Sequence, residues 1–243
     1  SGGAFSMPRY LKKWAKASPR VGEADPPRFI SPPGTQSSIY SQGYLETLRH
    51  PDRVRIAIWR AHMDALQDRF AGALLGLACG DAVGTTLEFS PRGSFQPITD
   101  MVGGGPFKLA PGQWTDDTSM ALCLAESLAE KEGFDPADQM TRYLNWWHWG
   151  YLSSTGNCFD IGSTVRSALT RFQDSGEPYS GSTDPWSAGN GSLMRLAPVV
   201  LFAYGSPDKL AALAAQSSRT THGAAEAIEC CQLFAQLIRL ALS

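Results

Sequence analysis

Gly112-Gln113-Trp114-Thr115-Asp116-Asp117-Thr118-Ser119-Met120 opens the most regular apolar repeat in the chain. After it, Met120, Ala121, Leu122, Leu124, Ala125, Leu128 and Ala129 recur at helical spacing, with Glu126, Glu130, Lys131 and Glu132 on the polar side. The pattern predicts a helix over 117–132, with Thr115, Asp116 and Asp117 in its cap and first turn. In those positions they can be ordinary caps that satisfy free N–H groups and the helix dipole. A hydroxyl beside two adjacent carboxylates is also a set of hard oxygen donors, the kind taken by Mg²⁺ or Mn²⁺. Zn²⁺ would draw His and Cys, which are absent nearby. The segment by itself admits both readings.

Outward from this helix the same periodicity continues. It predicts further helices near 51–65, 69–82, 136–149, 161–174, 193–204, 207–217 and 223–242. Asp135-Pro136 and Ser206-Pro207 each place a cap before a proline at the first helical position. No comparable run alternates like a strand, so the expected fold is all-α. Trp146, Trp147 and Trp149 with His148 form an aromatic patch, read mainly as core, with room for one tryptophan to line a groove.

Two more segments carry chemistry. In Ala71-Gly72-Ala73-Leu74-Leu75-Gly76-Leu77-Ala78-Cys79-Gly80-Asp81-Ala82-Val83-Gly84, glycines at every fourth position leave one helix face nearly bare. The uncharged run between Arg69 and Asp81 is too short to span a bilayer, so a tightly packed, buried helix is expected. Glu88 follows just past it, either a surface charge or a movable active-site acid. The other segment is Ser187-Ala188-Gly189-Asn190-Gly191-Ser192-Leu193-Met194-Arg195. Its small residues leave backbone N–H groups open, and a helix starting near Leu193 would aim its positive end at the loop. That combination can cradle a phosphate or pyrophosphate, although many Gly-Asn-Gly sequences are only turns.

In this order, the glycine-rich helix with Gly80-Asp81 and Glu88, the Trp114 to Thr118 segment, the Gly189 to Arg195 loop and Thr221-His222-Gly223 resemble the ADP-ribosylglycohydrolase family. The likeness runs from about Arg69 to the end of the chain. It implies an all-α domain that binds two Mg²⁺ or Mn²⁺ ions and hydrolyses the bond joining ADP-ribose to a protein side chain, with arginine the preferred linkage. Carried over position by position, it makes Thr115, Asp116 and Asp117 metal ligands, and it puts Glu88 at the ribose end as an acid working with Asp116 and Asp117. Gly189, Asn190, Gly191, Ser192 and Met194 become the diphosphate cradle, and His222 a substrate contact near the ribose. On chemistry alone, a lone His beside a Gly is more often a capping or core residue.

The resemblance also implies a second acidic segment, Asp-x-Asp-Thr in type, and none follows His222. One hydroxyl and two carboxylates are too few for two octahedral ions without waters and other ligands. The expectation is therefore a chain lacking the C-terminal part of its domain.

Residues 1–50 read as a separate arm before a helical domain at 51–243. Residues 1 to 30 hold six Lys or Arg against Glu23 and Asp25. Prolines at 19, 26, 27, 32 and 33 forbid a helix there. Tyr10 and Trp14 suit an interface better than a solvating tail. Because some members of the family act as immunity proteins, the alternative function is a block on an ADP-ribosyltransferase toxin bound through residues 1–50. Ser1-Gly2-Gly3 before Met7 is left out of the functional argument.

A formal charge of −2 gives no footprint for nucleic acid, and 43% hydrophobic with 18% charged residues is ordinary for a soluble globular chain. No apolar leader precedes the arm and no run is read as long enough for a membrane helix, so a cytoplasmic protein is expected. The five cysteines, Cys79, Cys123, Cys158, Cys230 and Cys231, lack zinc spacing and are read as reduced core thiols.

Overall fold

The computed structural model describes residues 51–243, with side chains from residue 65 onward. The proposed arm, 1–50, lies outside the described residues. Chain contacts separate Ser1–Ala65 from Leu66–Ser243, and the second unit is the subject below.

Seven α-helices are described: α1 (Pro51–Gly84), α2 (Asp116–Lys131), α3 (Pro136–Trp149), α4 (Ser163–Ser175), α5 (Ala197–Ala203), α6 (Pro207–Arg219) and α7 (Ala225–Leu242). Two short 3₁₀ turns, Thr85–Leu87 and Pro185–Ser187, punctuate the loops. Among the described residues there is no strand, only the isolated bridges Gly104 to Leu109 and Ser182 to His222. The all-α expectation stands.

The helix that the sequence singles out is the centre of the domain. Along α2, Leu124 and Leu128 pack with Val199 and Val200 of α5, Leu210 and Ala214 of α6, and Cys231 and Ala235 of α7. Met120 and Cys123, on the other side, meet Met140, Tyr143 and Trp146 of α3 and Val165 and Leu169 of α4. Burial of each large apolar side chain contributes about 1.5–3 kcal/mol, so the two layers clamp α2 and fix where its first turn points. Glu126, buried on this helix well beyond its first turn, is matched by the Arg142 guanidinium at 2.5 Å and by the Tyr151 hydroxyl.

Helix ends follow local chemistry, with two corrections. The Asp135 carboxylate caps α3 through Ala137 N and Asp138 N, both at 3.0 Å, as its sequence predicts. Gly150 ends that helix at φ 65°, where a Cβ would sit 2.0 Å from the Gly156 carbonyl oxygen, so no other residue fits. Ser206 precedes α6 as expected but makes no side-chain cap bond. The helix expected from Leu193 begins only at Ala197, because Pro198, lacking an N–H, belongs in a first turn and residues 191–195 turn instead.

The helices read near 51–65 and 69–82 are one unbroken α1. Its glycine face is not tightly packed. A Cβ added at Gly72, Gly76, Gly80 or Gly84 would meet nothing within 4 Å. The stretch Ala65–Leu87, 23 residues with mean hydropathy 1.4 and 11% buried, is long and apolar enough by length and composition to cross a membrane. That corrects the expectation that no run would be. Its two ends are nevertheless engaged in polar work: Arg69 donates to the Leu242 and Ser243 carbonyls, and Asp81 enters the cluster below. Leu233, Leu237 and Leu240 of α7 are also exposed.

Trp146 is core, whereas Trp149 is 78% exposed. All five thiols are free; Cys123 and Cys231 are buried, but Cys79 and Cys230 are exposed, which corrects the reading of a uniform core set.

Candidate active site

At the start of α2 a carboxylate from another helix does the capping. Asp81 of α1 accepts from Thr115 N at 3.0 Å and Thr118 N at 3.1 Å, and from the hydroxyls of Thr115 at 2.7 Å and Thr118 at 2.6 Å. Thr115 therefore occupies the cap position without capping through its own side chain. Its hydroxyl is spent as a donor to Asp81 and keeps lone pairs for something else. Asp81 stood in the glycine-rich motif, but the sequence reading gave it no role in the site.

Asp116 is 8% exposed and Asp117 half-buried. Burial pushes Asp116 up from 3.8 to about 8, helped by the charges of Asp117, Asp160 and Asp81. Asp117 rises to about 6, again through burial first, then Asp81. Asp160, also missed, rises to about 7 by burial and by Glu88 beside it. Asp160 sits in the α3–α4 loop at φ 57°, outside any motif, so only the fold could bring it here. Glu88 follows the first 3₁₀ turn, where its carboxylate accepts from the Thr85 hydroxyl at 3.4 Å. Five carboxylates thus crowd one another from three parts of the chain. Among the described residues, however, no three His, Cys, Asp or Glu side chains converge closely enough to hold a metal ion.

The second half of the site is built differently. Asn190 O accepts from Leu193 N at 2.8 Å and Met194 N at 3.0 Å, and Gly191 O accepts from Arg195 Nη1 at 2.9 Å. Among the described residues, the N–H groups of Gly189, Asn190, Gly191 and Ser192 have no protein acceptor. Consecutive free N–H groups are the kind of donor set that can take an anion; here Gly189 and Asn190 are exposed, Gly191 and Ser192 are buried, and the expected helix end is not at the loop. Ser192 turns its hydroxyl into the core, 2.9 Å from that of Ser218, so only its N–H can serve a ligand.

His222 lies beneath this loop, 2% exposed. Its Nδ1 is 2.8 Å from the Thr221 hydroxyl, and a Cβ at Gly191 would come within 2.8 Å of its Cε1. Burial first, then the Arg195 charge, lowers it from 6.5 to about 3, so the ring is neutral. Its burial makes it a support for the cradle, where the sequence reading expected a substrate contact.

One groove, about 680 Å³, joins the two halves. Asp81 and Asp117 line it beside Asn190 and Met194, with Gly76 and Gly80 of the bare α1 face along its floor. Three segments distant in sequence, at 76–81, 117 and 190–194, thereby share a cavity. Glu88, Asp116 and His222 are not among its lining residues.

Comparison with known proteins bears on the family and the fold. The family model described as ADP-ribosylglycohydrolase matches residues 62–243. The chain is 50% identical over 176 residues to an ADP-ribosylarginine hydrolase Tri1 of Pseudomonas putida, covering 72% of this chain and 47% of that protein. It is 47% identical to the Tri1 of Serratia proteamaculans, covering 68% and 45%, and 39% identical to the ADP-ribosyl-[dinitrogen reductase] glycohydrolase of Rhodospirillum rubrum, covering 65% and 52%. A solved structure titled ADP-ribosylglycohydrolase-related protein complex superposes with TM-score 0.64 at 50% identity, over 74% of this chain and 58% of that one. The chain spans about half the length of the curated relatives it matches. With that family model matching residues 62–243, the chain belongs to the ADP-ribosylglycohydrolase family.

Proposed function

We propose that the protein carrying this chain hydrolyses the bond between ADP-ribose and an arginine side chain. The observation that supports this most is the groove in which the α2 carboxylates face a loop of open N–H groups. An ADP-ribosyl group has a diphosphate at one end of a ribose and the scissile bond at the other, which is the polarity of this groove. The names of the Tri1 relatives favour arginine as the acceptor.

Mg²⁺, expected as two ions with Mn²⁺ as a substitute, suits the donors in kind. Asp116, Asp117 and the Thr115 hydroxyl would hold it, and a divalent charge would relieve the mutual repulsion that adds to burial in lifting Asp116, Asp117 and Asp160. The donors are too few to complete either coordination shell, so waters or further oxygen ligands make up the rest. When bound, such an ion supplies positive charge that orients ribose hydroxyls and polarises a water.

The chain's own residues divide the remaining work. The loop N–H groups bind the diphosphate and fix the ribose against α2. Asp117, on the groove wall, holds the attacking water and takes its proton as the water oxygen bonds to the anomeric carbon. The bond from that carbon to the arginine nitrogen breaks, and the guanidine leaves with a proton delivered by Glu88. The test is release of ADP-ribose from an arginine-modified protein with Mg²⁺ and after chelation. Metal-dependent release supports the assignment; absence of release in both conditions contradicts it.

A second role, occupation of an ADP-ribosyltransferase toxin through residues 1–50, rests on the basic, proline-rich sequence of the arm. Deleting those residues should abolish toxin protection and leave hydrolysis intact; unchanged protection would end this reading.

A further inference from the structure

Arg195 carries the least explained charge in the domain. It is fully buried, and among the described residues it forms no ion pair. Its partners are all neutral: Gly191 O at 2.9 Å, Ser217 O at 3.2 Å, and the hydroxyls of Thr220 at 3.3 Å and Thr221 at 2.8 Å. The guanidinium lies 4.8 Å from the centre of the Tyr143 ring, and its Nε has no partner. A buried cation without a carboxylate is costly unless another negative charge is near. The nearest place for one is the far side of the loop that Arg195 grips.

The grip has a direction. A trans peptide points its C=O and the following N–H to opposite sides. By drawing Gly191 O inward, Arg195 turns Ser192 N–H away from itself, and the bonds to Asn190 O do the same for Gly191 N–H. Thr221 passes the constraint to His222, whose neutral ring fills the space under Gly189 and Gly191. A lysine could supply the charge but not the fork, which spans Gly191 on one side and Ser217, Thr220 and Thr221 on the other.

We propose that Arg195 is a positioning residue that, through Gly191 and with Thr221 and His222, holds the Gly189–Ser192 backbone open to a diphosphate and provides the positive charge behind it. The inference rests on the reading of this loop as the diphosphate site.

The test is titration of ADP and of adenosine into the 243-residue chain and its Arg195→Gln, Arg195→Lys and Thr221→Val variants, with folding checked by circular dichroism. Arg195→Gln should weaken ADP by ~10-fold or more, the scale of losing a charge-assisted contact, and leave adenosine unchanged. Arg195→Lys and Thr221→Val should fall between it and the unmodified chain. A merely structural role would move ADP and adenosine together, and that result, or unchanged ADP binding in a folded Arg195→Gln, overturns the proposal. Should Arg195→Gln not fold, Arg195→Lys decides: selective weakening of ADP supports the role and unchanged ADP overturns it. If the unmodified chain does not prefer ADP to adenosine, the diphosphate reading of the loop falls, and this inference falls with it.

Discussion

The two walls of the groove are finished to different degrees. On the loop side the Asn190 and Gly191 carbonyls each have a donor, Gly189 and Gly191 sit against the His222 ring, and the N–H groups of residues 189–192 have no protein acceptor. On the α2 side five carboxylates repel one another, three are held far above the usual carboxylate range, and the adjoining face of α1 is bare. An anion site can be completed by local backbone geometry, because its donors come from four consecutive residues. A divalent-cation site needs ligands from several elements, and among the described residues no three His, Cys, Asp or Glu side chains converge closely enough to hold one.

This contrast can be broken first at chemistry. Asp117→Asn should lower the rate of ADP-ribose release by about 10²–10⁴-fold, the usual worth of a positioned acid or base, while ADP binding by the same protein stays within twofold. A parallel loss of ADP binding would mean that the two walls are one unit. Gly191→Ala attacks the other wall, since its Cβ would lie 2.8 Å from His222 Cε1 and 3.2 Å from Val165 Cγ2. Overpacking of this kind costs about 1–3 kcal/mol. The expected readouts are a lower melting temperature and at least ~10-fold weaker ADP binding, with Mg²⁺ binding retained; normal ADP affinity would show that the loop does not need its seat on His222.

The walls should also differ in the sign of their pH dependence. Asp116, Asp117 and Asp160 bind protons more tightly folded than unfolded, so between about pH 4 and 8 the folded chain holds the extra protons and loses stability as pH rises. Added Mg²⁺ should flatten that loss. For His222 the folded value, about 3, lies below the ordinary 6.5, so its contribution is present above pH 6.5 and is lost as pH falls from there toward 3. Thermal unfolding from pH 4 to 8 with chelator, then with Mg²⁺, checks the first slope. His222→Gln checks the second, by reducing the loss on the acid side. The smallest expected change is in Ser192→Ala: the hydroxyl faces Ser218 in the core, so ADP affinity should stay within about twofold, with destabilisation of about 1 kcal/mol from the lost hydrogen bond.

Much of this arrangement was legible in the sequence because it is written in local periodicity and caps. The α2 repeat, the Asp135-Pro136 start of α3 and the glycine loop each declare themselves within a dozen residues. What escaped depends on distance in the chain. Asp81 caps a helix that begins 34 residues later, and the sequence offers Thr115 for that job instead. Asp160 has no motif around it and reaches the cluster only through a left-handed turn. The late start of α5 follows from Pro198, a visible signal outweighed by the apolar run before it. The bare α1 face escaped for the opposite reason: glycine spacing says that close packing is allowed, and says nothing about which element packs there.

The most direct measurement is a titration of ADP-ribose into the chain in chelator, repeated with Mg²⁺. A preformed anion wall opposite an unfinished acidic wall predicts binding without metal and tighter binding when Mg²⁺ neutralises the carboxylates. Binding that is absent in chelator, or unchanged by Mg²⁺, would contradict the division of this groove into a complete cradle and an incomplete cation site.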